Sequence, residues 1–139
     1  MAERRLLLDS TLDSVEVAET AVLKDAQAVG FNEEDLHQLG MAVRESMVNA
    51  VVHGNRYNSK KKVRVSVIKA HDRLTVIITD EGEGFDPKCV PNPLAEENLL
   101  RQSGRGLLLM QAFVDEFQVR CAEPRGTEVR MVKYLAKAS

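Results

Sequence analysis

Residues 45–55 organise this chain, and they read Glu45-Ser46-Met47-Val48-Asn49-Ala50-Val51-Val52-His53-Gly54-Asn55. The segment has the pattern of the last turns of a long helix. Glu45, Asn49 and His53 are spaced four residues apart, so they lie on one face of that helix. The apolar stripe of the same helix lies roughly opposite and consists of Leu36, Leu39, Val43, Met47 and Ala50.

A carboxylate and a carboxamide one helical turn apart suit a general base beside a metal ligand. Mg²⁺ takes oxygen ligands, commonly one or two from the protein with phosphates and waters, so the Asn49 oxygen would suffice. The alternative is a surface glutamate, Glu45, with a capping asparagine. His53 is favourably placed for the helix dipole whatever its function.

Length and composition indicate a single soluble domain over residues 1–139. The chain is 44% hydrophobic and 29% charged, which is typical of a globular protein. A net charge of -2, sparse aromatic residues and no Trp argue against direct nucleic-acid binding. Cys89 and Cys121 fit no zinc-site spacing, so we expect reduced thiols. We find no signal-peptide pattern and no membrane span, and we expect a cytoplasmic protein.

The N-terminal third predicts a strand followed by a helix. Residues 4–10 contain a short apolar run that suits an opening strand. A helix is predicted over residues 12–29, with Ser10 or Thr11 as its capping residue. Gly30 is expected to end that helix.

The middle of the chain predicts the long helix and then two strands. Asn32 is expected to cap the long helix, which continues to about His53. Alternating apolar residues predict strands at 63–68 and 74–79, joined by a short turn. Residues 80–103 read as a long loop, and a loop of this length is usually a lid or a binding loop.

The C-terminal part predicts a helix over residues 106–114 and a hairpin of strands at 117–121 and 127–134. Helices followed by hairpin-linked strands indicate an α+β fold. We therefore expect a two-layer sandwich with helices packed on one face of a mixed, mostly antiparallel sheet.

The segment after the second strand reads Asp80-Glu81-Gly82-Glu83-Gly84-Phe85-Asp86. Asp80 is expected at a strand end near the core boundary, where its carboxylate can accept a hydrogen bond from an exocyclic amine such as that of adenine. Gly82 and Gly84 would permit close approach of a flat ligand. The alternative is a tight turn with solvated acids.

Residues 103–107 read Ser103-Gly104-Arg105-Gly106-Leu107 and open the third predicted helix. Free backbone N–H groups at a helix start suit a phosphate, and Arg105 either adds charge to that site or is simply solvated. Thr127 begins the last predicted strand. Its hydroxyl can reach an adenine edge or a water beside Asp80, or it is an ordinary hairpin residue.

The order of these motifs resembles that of the Bergerat-fold (GHKL) ATPases, which include gyrase, heat-shock chaperone and histidine-kinase catalytic domains. Residues 45–49 match the N box, residues 80–84 the first glycine box, residues 104–106 the second and residues 126–127 the last. Within that superfamily the chain looks like the anti-sigma-factor serine/threonine-protein kinases of bacterial partner-switching pathways. It departs from many of them at Gly54-Asn55, where they have Ala-Tyr.

The resemblance implies ATP and Mg²⁺ as cofactors. Asp80 would bind the adenine amino group, helped by Thr127 through water, and Asn49 would hold Mg²⁺. Residues 104–106 would form a lid over the terminal phosphates, and Glu45 would be the general base for a protein hydroxyl. The implied nucleotide-binding residues are Asn49, His53, Asp80, Gly82, Gly84, Gly104, Arg105, Gly106 and Thr127.

The same resemblance implies protein partners. Family members phosphorylate an anti-sigma antagonist of the STAS type, many sequester a sigma factor, and a homodimer is favoured. Two alternatives to a serine/threonine-protein kinase stay open. One is a regulatory module that binds ATP and partners without transferring phosphate. The other is a separate histidine-kinase catalytic domain acting on a partner's histidine.

Overall fold

A computed structural model describes residues 2–82, 111–122 and 126–135. The elements, in chain order, are β1 (Ala2–Asp9), α1 (Asp13–Val29), α2 (Glu33–Val48), a π-helical turn (Asn49–Gly54), β2 (Lys62–Lys69), β3 (Arg73–Thr79), β4 (Glu116–Cys121) and β5 (Thr127–Tyr134). The five strands form one sheet in the order β1-β2-β3-β5-β4. Every neighbouring pair among them is antiparallel. The predicted α+β fold is confirmed, with no parallel pair among the described strands.

The core lies between the helices and one face of the sheet. Alternate residues of β2 and β3 are buried, namely Val63, Val65, Val67, Leu74, Val76 and Ile78. Antiparallel pairing places Val65 opposite Ile78 and Val67 opposite Val76, so these side chains share one face. The helices cover that face with Val15, Ala18, Val22, Ala26, Leu39, Val43 and Met47, all of them buried. The apolar stripes read from the sequence are thus the core-facing stripes.

Local capping signals predicted two helix ends correctly and one wrongly. Gly30 ends α1 with φ 112° and donates its N–H to the carbonyl of Ala26 at 3.1 Å. The Asn32 side chain accepts the N–H of Asp35 at 2.8 Å. The prediction that Ser10 or Thr11 caps α1 is wrong, because the helix starts without a side-chain cap. The hydroxyl of Ser10 donates instead to the Lys61 carbonyl.

The third predicted helix falls mostly outside the described residues, which include only 111–114 of it; residues 111–113 are helical and Val114 is not. Lys133 of β5 anchors this helix end from inside the protein. Its ammonium donates to the carbonyl of Phe113 at 2.9 Å and to the side-chain oxygen of Gln38 at 3.3 Å. A cation at the C-terminal end of a helix is favoured by the helix dipole. The expected loop at 83–103 lies outside the described residues.

Across the described ranges, no helix combines the length and the apolar character needed to cross a membrane.

An ion pair between an exposed arginine, Arg4, and a buried aspartate, Asp25, ties β1 to α1. Asp25 is 4% exposed, and both of its carboxylate oxygens accept hydrogen bonds from the Arg4 guanidinium, at 2.9 and 3.1 Å. The ammonium of Lys69 on β2 lies 3.8 Å from the same carboxylate. The hydrogen bonds from Arg4 hold the pKa of Asp25 below its usual range, even though burial acts in the opposite direction.

We expect Asp25→Asn to lower the free energy of unfolding at pH 7 by about 1–2 kcal/mol, because Arg4 loses its bidentate partner. The pKa of Asp25 is lower in the folded than in the unfolded state, so its contribution is complete above about pH 4 and disappears as the pH falls through the folded pKa. Urea titrations of both proteins from pH 7 to pH 2.5 measure this. A constant difference across that range would contradict the assignment.

Asp72→Asn is the matched control. Its carboxylate pairs with Arg73, the neighbouring residue, and both side chains are more than 40% exposed. Such surface pairs contribute little, so we expect no resolvable change in stability.

Candidate functional site

Asp80 directly follows β3 and is buried, with 5% of its surface exposed. Its backbone N–H donates to the carbonyl of Thr127 at 3.0 Å, which extends the β3–β5 ladder by one residue. Its carboxylate oxygen Oδ1 accepts the backbone N–H groups of Gly82 at 3.0 Å and of Thr127 at 3.1 Å. The other oxygen, Oδ2, has no hydrogen bond within the described part of the chain. The expected position at a strand end near the core boundary is confirmed.

Glycines bring three chain segments against this carboxylate. A Cβ on Gly54 would lie 2.3 Å from Asp80 Oδ2, and a Cβ on Gly82 would lie 2.0 Å from the Gly54 carbonyl oxygen. A Cβ on Gly126 would lie 2.0 Å from the Asp80 carbonyl oxygen, and this glycine also has φ of +108°. The close contact between the π-helical turn, the segment after β3 and the start of β5 therefore requires glycine at all three positions.

Burial raises the pKa of the Asp80 carboxyl above its usual range. The backbone hydrogen bonds from Gly82 and Thr127 act against this effect but do not cancel it. A desolvated carboxylate with one oxygen uncommitted is suited to accept a hydrogen bond from a ligand amine, and perturbed acids of this kind are enriched at functional sites.

Glu45, Asn49 and His53, which we call the polar line of the long helix, span a change in helix type. Hydrogen bonds of α2 continue to Val48, and Asn49–Gly54 then forms a π-helical turn closed by the N–H of Asn55 on the carbonyl of Ala50 at 2.8 Å. The predicted helix end at Gly54 is confirmed, but the wider turn was not predicted. Such turns are rare and occur frequently at functional sites.

The three side chains of that line differ in exposure. Glu45 and Asn49 are half-buried, and His53 is exposed. Within the described residues, none of the three side chains has a hydrogen-bond or ion-pair partner. A carboxylate and a carboxamide that have no protein partner there are free to act on a ligand, and the amide oxygen suits Mg²⁺.

The remaining predicted residues divide into two groups. Gly82 and Thr127 lie against Asp80 through their backbone N–H groups. The sequence predicted that the Thr127 hydroxyl reaches an adenine edge or a water beside Asp80. The contact between the Thr127 backbone N–H and Asp80 was not predicted. Four other predicted residues lie outside the described residues. They are the second glycine of the first glycine box, Gly84, and the lid residues Gly104, Arg105 and Gly106.

Asn55 is a site-forming residue that the sequence did not reveal. It is 1% exposed, and its side-chain oxygen accepts the N–H of Glu81 at 2.7 Å. An asparagine directly after a helix-ending glycine has the pattern of an ordinary polar loop residue. Only its departure from the Ala-Tyr of many similar proteins marked it in the sequence.

Comparison with known proteins identifies the family of this chain. Residues 8–133 match the family described as histidine kinase-like ATPase domain. The chain is 33% identical over 108 residues to "Anti-sigma F factor" of Bacillus thuringiensis (strain Al Hakam), covering 76% of this chain and 74% of that protein. The same figures hold for the protein of that name from Bacillus mycoides (strain KBAB4).

A solved structure of the RsbU and RsbW domains of Rv1364c from Mycobacterium tuberculosis is similar in fold. It superposes with a TM-score of 0.71 at 18% identity, over 100% of this chain and 33% of that chain. This chain thus spans about a third of the solved one. At that identity the similarity concerns the fold alone.

We expect Gly82→Ala to destabilise the protein by about 1–3 kcal/mol, because its Cβ would overlap the backbone carbonyl of Gly54 and one of the two segments would have to move. Gly40→Ala is the matched control. In this helix interior, the nearest atom to a Cβ is Oε2 at the end of the flexible Glu19 side chain, at 3.3 Å, and the Leu23 methyl groups lie at ordinary contact distances of 3.6 and 3.7 Å. Alanine is favoured over glycine in helices by about 1 kcal/mol, so that variant should be neutral or more stable. Thermal unfolding of both variants is the measurement, and equal effects would contradict the close contact.

Proposed function

This chain belongs to the histidine kinase-like ATPase domain family, and we propose that it is an ATP-dependent serine/threonine-protein kinase that also acts as an anti-sigma factor. The observation that carries the proposal is the buried Asp80 carboxylate with an uncommitted oxygen, held between glycines at the end of β3. Membership in the family implies ATP binding. The kinase activity, the metal and the partners are the proposed part.

Asp80 is proposed to recognise the base. The exocyclic amine of adenine donates a hydrogen bond to the carboxylate, and guanine, with a carbonyl at the corresponding position, would leave a buried charge without its partner. The glycines at 54, 82 and 126 allow the surrounding segments to close around Asp80. Thr127 is proposed to assist through a water.

Asn49 is proposed to hold Mg²⁺ through its carboxamide oxygen, with phosphate oxygens and waters completing the coordination. When bound, the ion neutralises charge on the phosphates. Residues 104–106 are proposed to close over the terminal phosphates with their backbone N–H groups, with Arg105 adding positive charge. His53, at the end of the same polar line, is proposed to border this part of the site.

Glu45 is proposed as the general base. It lies one helical turn before Asn49, so it is next to the position assigned to the metal and the phosphates. The hydroxyl oxygen of a substrate serine or threonine attacks the γ-phosphorus, and Glu45 accepts the hydroxyl proton. The bond from that phosphorus to the β,γ-bridging oxygen breaks, and ADP leaves.

The proposed partners follow from the relatives. Proteins named anti-sigma F factor are similar over three quarters of this chain. We therefore propose a sigma factor as one partner, a STAS-type anti-sigma antagonist as the phosphorylated substrate, and a homodimer as the working form.

Asp80→Asn tests the recognition of adenine. The asparagine oxygen can still accept the N–H groups of Gly82 and Thr127, and the desolvated charge is gone. We therefore expect the unliganded variant to be as stable as the wild type at pH 7, or more stable. ATP affinity should fall at least about tenfold, because the amine of adenine meets a neutral amide instead of a carboxylate. Calorimetric titration with ATP, together with thermal unfolding, measures both. Unchanged affinity would remove Asp80 from the site.

Glu45→Gln tests the chemistry. Loss of the base should lower phosphate transfer to the antagonist by about 100-fold or more, while ATP affinity stays within about twofold. Transfer is followed with labelled ATP. Glu34→Gln, an exposed acid in the first turn of α2, is the control and should transfer at the wild-type rate. Wild-type transfer by Glu45→Gln would refute the base. If the wild type bound ATP but transferred no phosphate in any preparation, the result would favour the alternative, a regulatory module that binds ATP and partners without kinase activity.

A further inference from the structure

We propose that Asn55 is a positioning residue for the nucleotide base, because it fastens the segment of residues 80–82 in the conformation that presents the Asp80 carboxylate. The proposal rests on the proposed function, since it concerns the same nucleotide site. It assigns a role to a residue outside the polar line of the helix and outside the glycine boxes.

The carboxamide of Asn55 is fully used. Its oxygen accepts the backbone N–H of Glu81 at 2.7 Å. Its nitrogen donates to the hydroxyl of Ser10 at 2.9 Å and to the carbonyl of Lys62 at 3.0 Å. The residue is 1% exposed, and a buried carboxamide with its oxygen and both N–H groups engaged has a single well-defined orientation.

These contacts join four separate parts of the chain. Ser10 follows β1, Asn55 follows the π-helical turn, Lys62 begins β2, and Glu81 lies in the segment after β3. Two further bonds close the network: the Ser10 hydroxyl donates to the Lys61 carbonyl, and the Lys62 N–H donates to the Glu81 carboxylate. The segment after β3 is therefore attached to the start of β2 both directly and through Asn55.

The connection to the base is short. The Glu81 N–H belongs to the peptide unit that follows Asp80, so its bond to Asn55 fixes that unit and restricts the segment whose Gly82 N–H donates to the Asp80 carboxylate. If this segment takes other conformations, only the fraction with the carboxylate in place can bind. The apparent dissociation constant rises by the reciprocal of that fraction. Because the segment contacts the base and not the phosphates, the loss should be shared by every adenine ligand.

The test is calorimetric titration of Asn55→Ala with ATP, ADP and adenosine, at a temperature where thermal unfolding places all proteins in the folded state. We expect each of the three ligands to bind about tenfold more weakly than to the wild type. Asn58→Ala is the matched control. That asparagine is exposed in the following turn, where its side chain accepts, among the described residues, only the N–H of Lys60 at 2.9 Å. The ligand affinities of this variant should not change.

Asn55→Asp separates positioning from stability, and it also serves if the alanine variant does not fold. It keeps an oxygen for the Glu81 N–H but loses the donors to Ser10 and Lys62, and it buries a charge. We expect it to bind adenosine more tightly than Asn55→Ala, yet to be no more stable in urea. If the alanine variant does not fold, adenosine affinity of the aspartate variant within about threefold of the wild type supports the proposal, and a larger loss contradicts it.

Several results would overturn the proposal. One is an alanine variant that is less stable but whose folded fraction binds with wild-type affinity. Another is weaker binding of ATP and ADP with adenosine unaffected, which would place the effect at the phosphates. Equal adenosine affinities for the alanine and aspartate variants would also contradict it. Failure of the wild type to bind any of the three ligands would refute the proposed function instead.

Discussion

The structure depends on how one desolvated carboxylate, that of Asp80, is accommodated. A charged group loses its hydration on burial, and the loss must be offset by hydrogen bonds or by a paired charge. Asp80 has two backbone N–H groups and no ion pair within the described residues. Its pKa is therefore raised, and the folded chain keeps a group that is still short of one partner.

Asp25 shows what the same residue type does in a structural role. It is buried to the same degree, at 4% against 5% exposed. The Arg4 guanidinium binds both of its oxygens, and its pKa is lowered, whereas that of Asp80 is raised. Burial alone thus does not distinguish the two carboxylates. Their partners among the described residues do: the Arg4 guanidinium binds both oxygens of Asp25, whereas Asp80 receives two backbone N–H groups on Oδ1 and none on Oδ2.

The sequence predicted those features that depend on near neighbours. The Asn32 cap, the Gly30 stop, and the alternation of β2 and β3 each follow from a few adjacent residues, and each is confirmed. The position of Asp80 at a strand end was predicted for the same reason. Features that depend on distant contacts were missed. The hydroxyl of Ser10 hydrogen-bonds with Asn55 and Lys61 and does not cap the following helix, because the fold brings residues 55 and 61 within hydrogen-bonding distance.

The π-helical turn could not have been predicted because nothing in residues 49–54 differs from an ordinary helix C-terminus. Its cause lies elsewhere in the fold. The turn ends with Gly54 against Asp80 and with Asn55 bonded to Glu81, and both contacts are with the segment after β3. The local sequence determines where the helix ends. The contact with the distant Asp80 carboxylate determines that its last turn is π-helical.

The raised pKa of Asp80 has a consequence for ligand binding. Because burial disfavours the charged form of Asp80, a ligand amine that donated to it would supply a hydrogen bond that Oδ2 does not receive from the described residues. The gain on binding is correspondingly large, as a hydrogen bond to a desolvated charge is stronger than one to a solvated group. A ligand that binds only the folded state also stabilises it. The folded chain therefore holds at Asp80 a carboxylate whose charged form is disfavoured by burial, between the glycines at 54, 82 and 126 and the segment bonded by Asn55, and a hydrogen bond from a ligand amine would offset that cost.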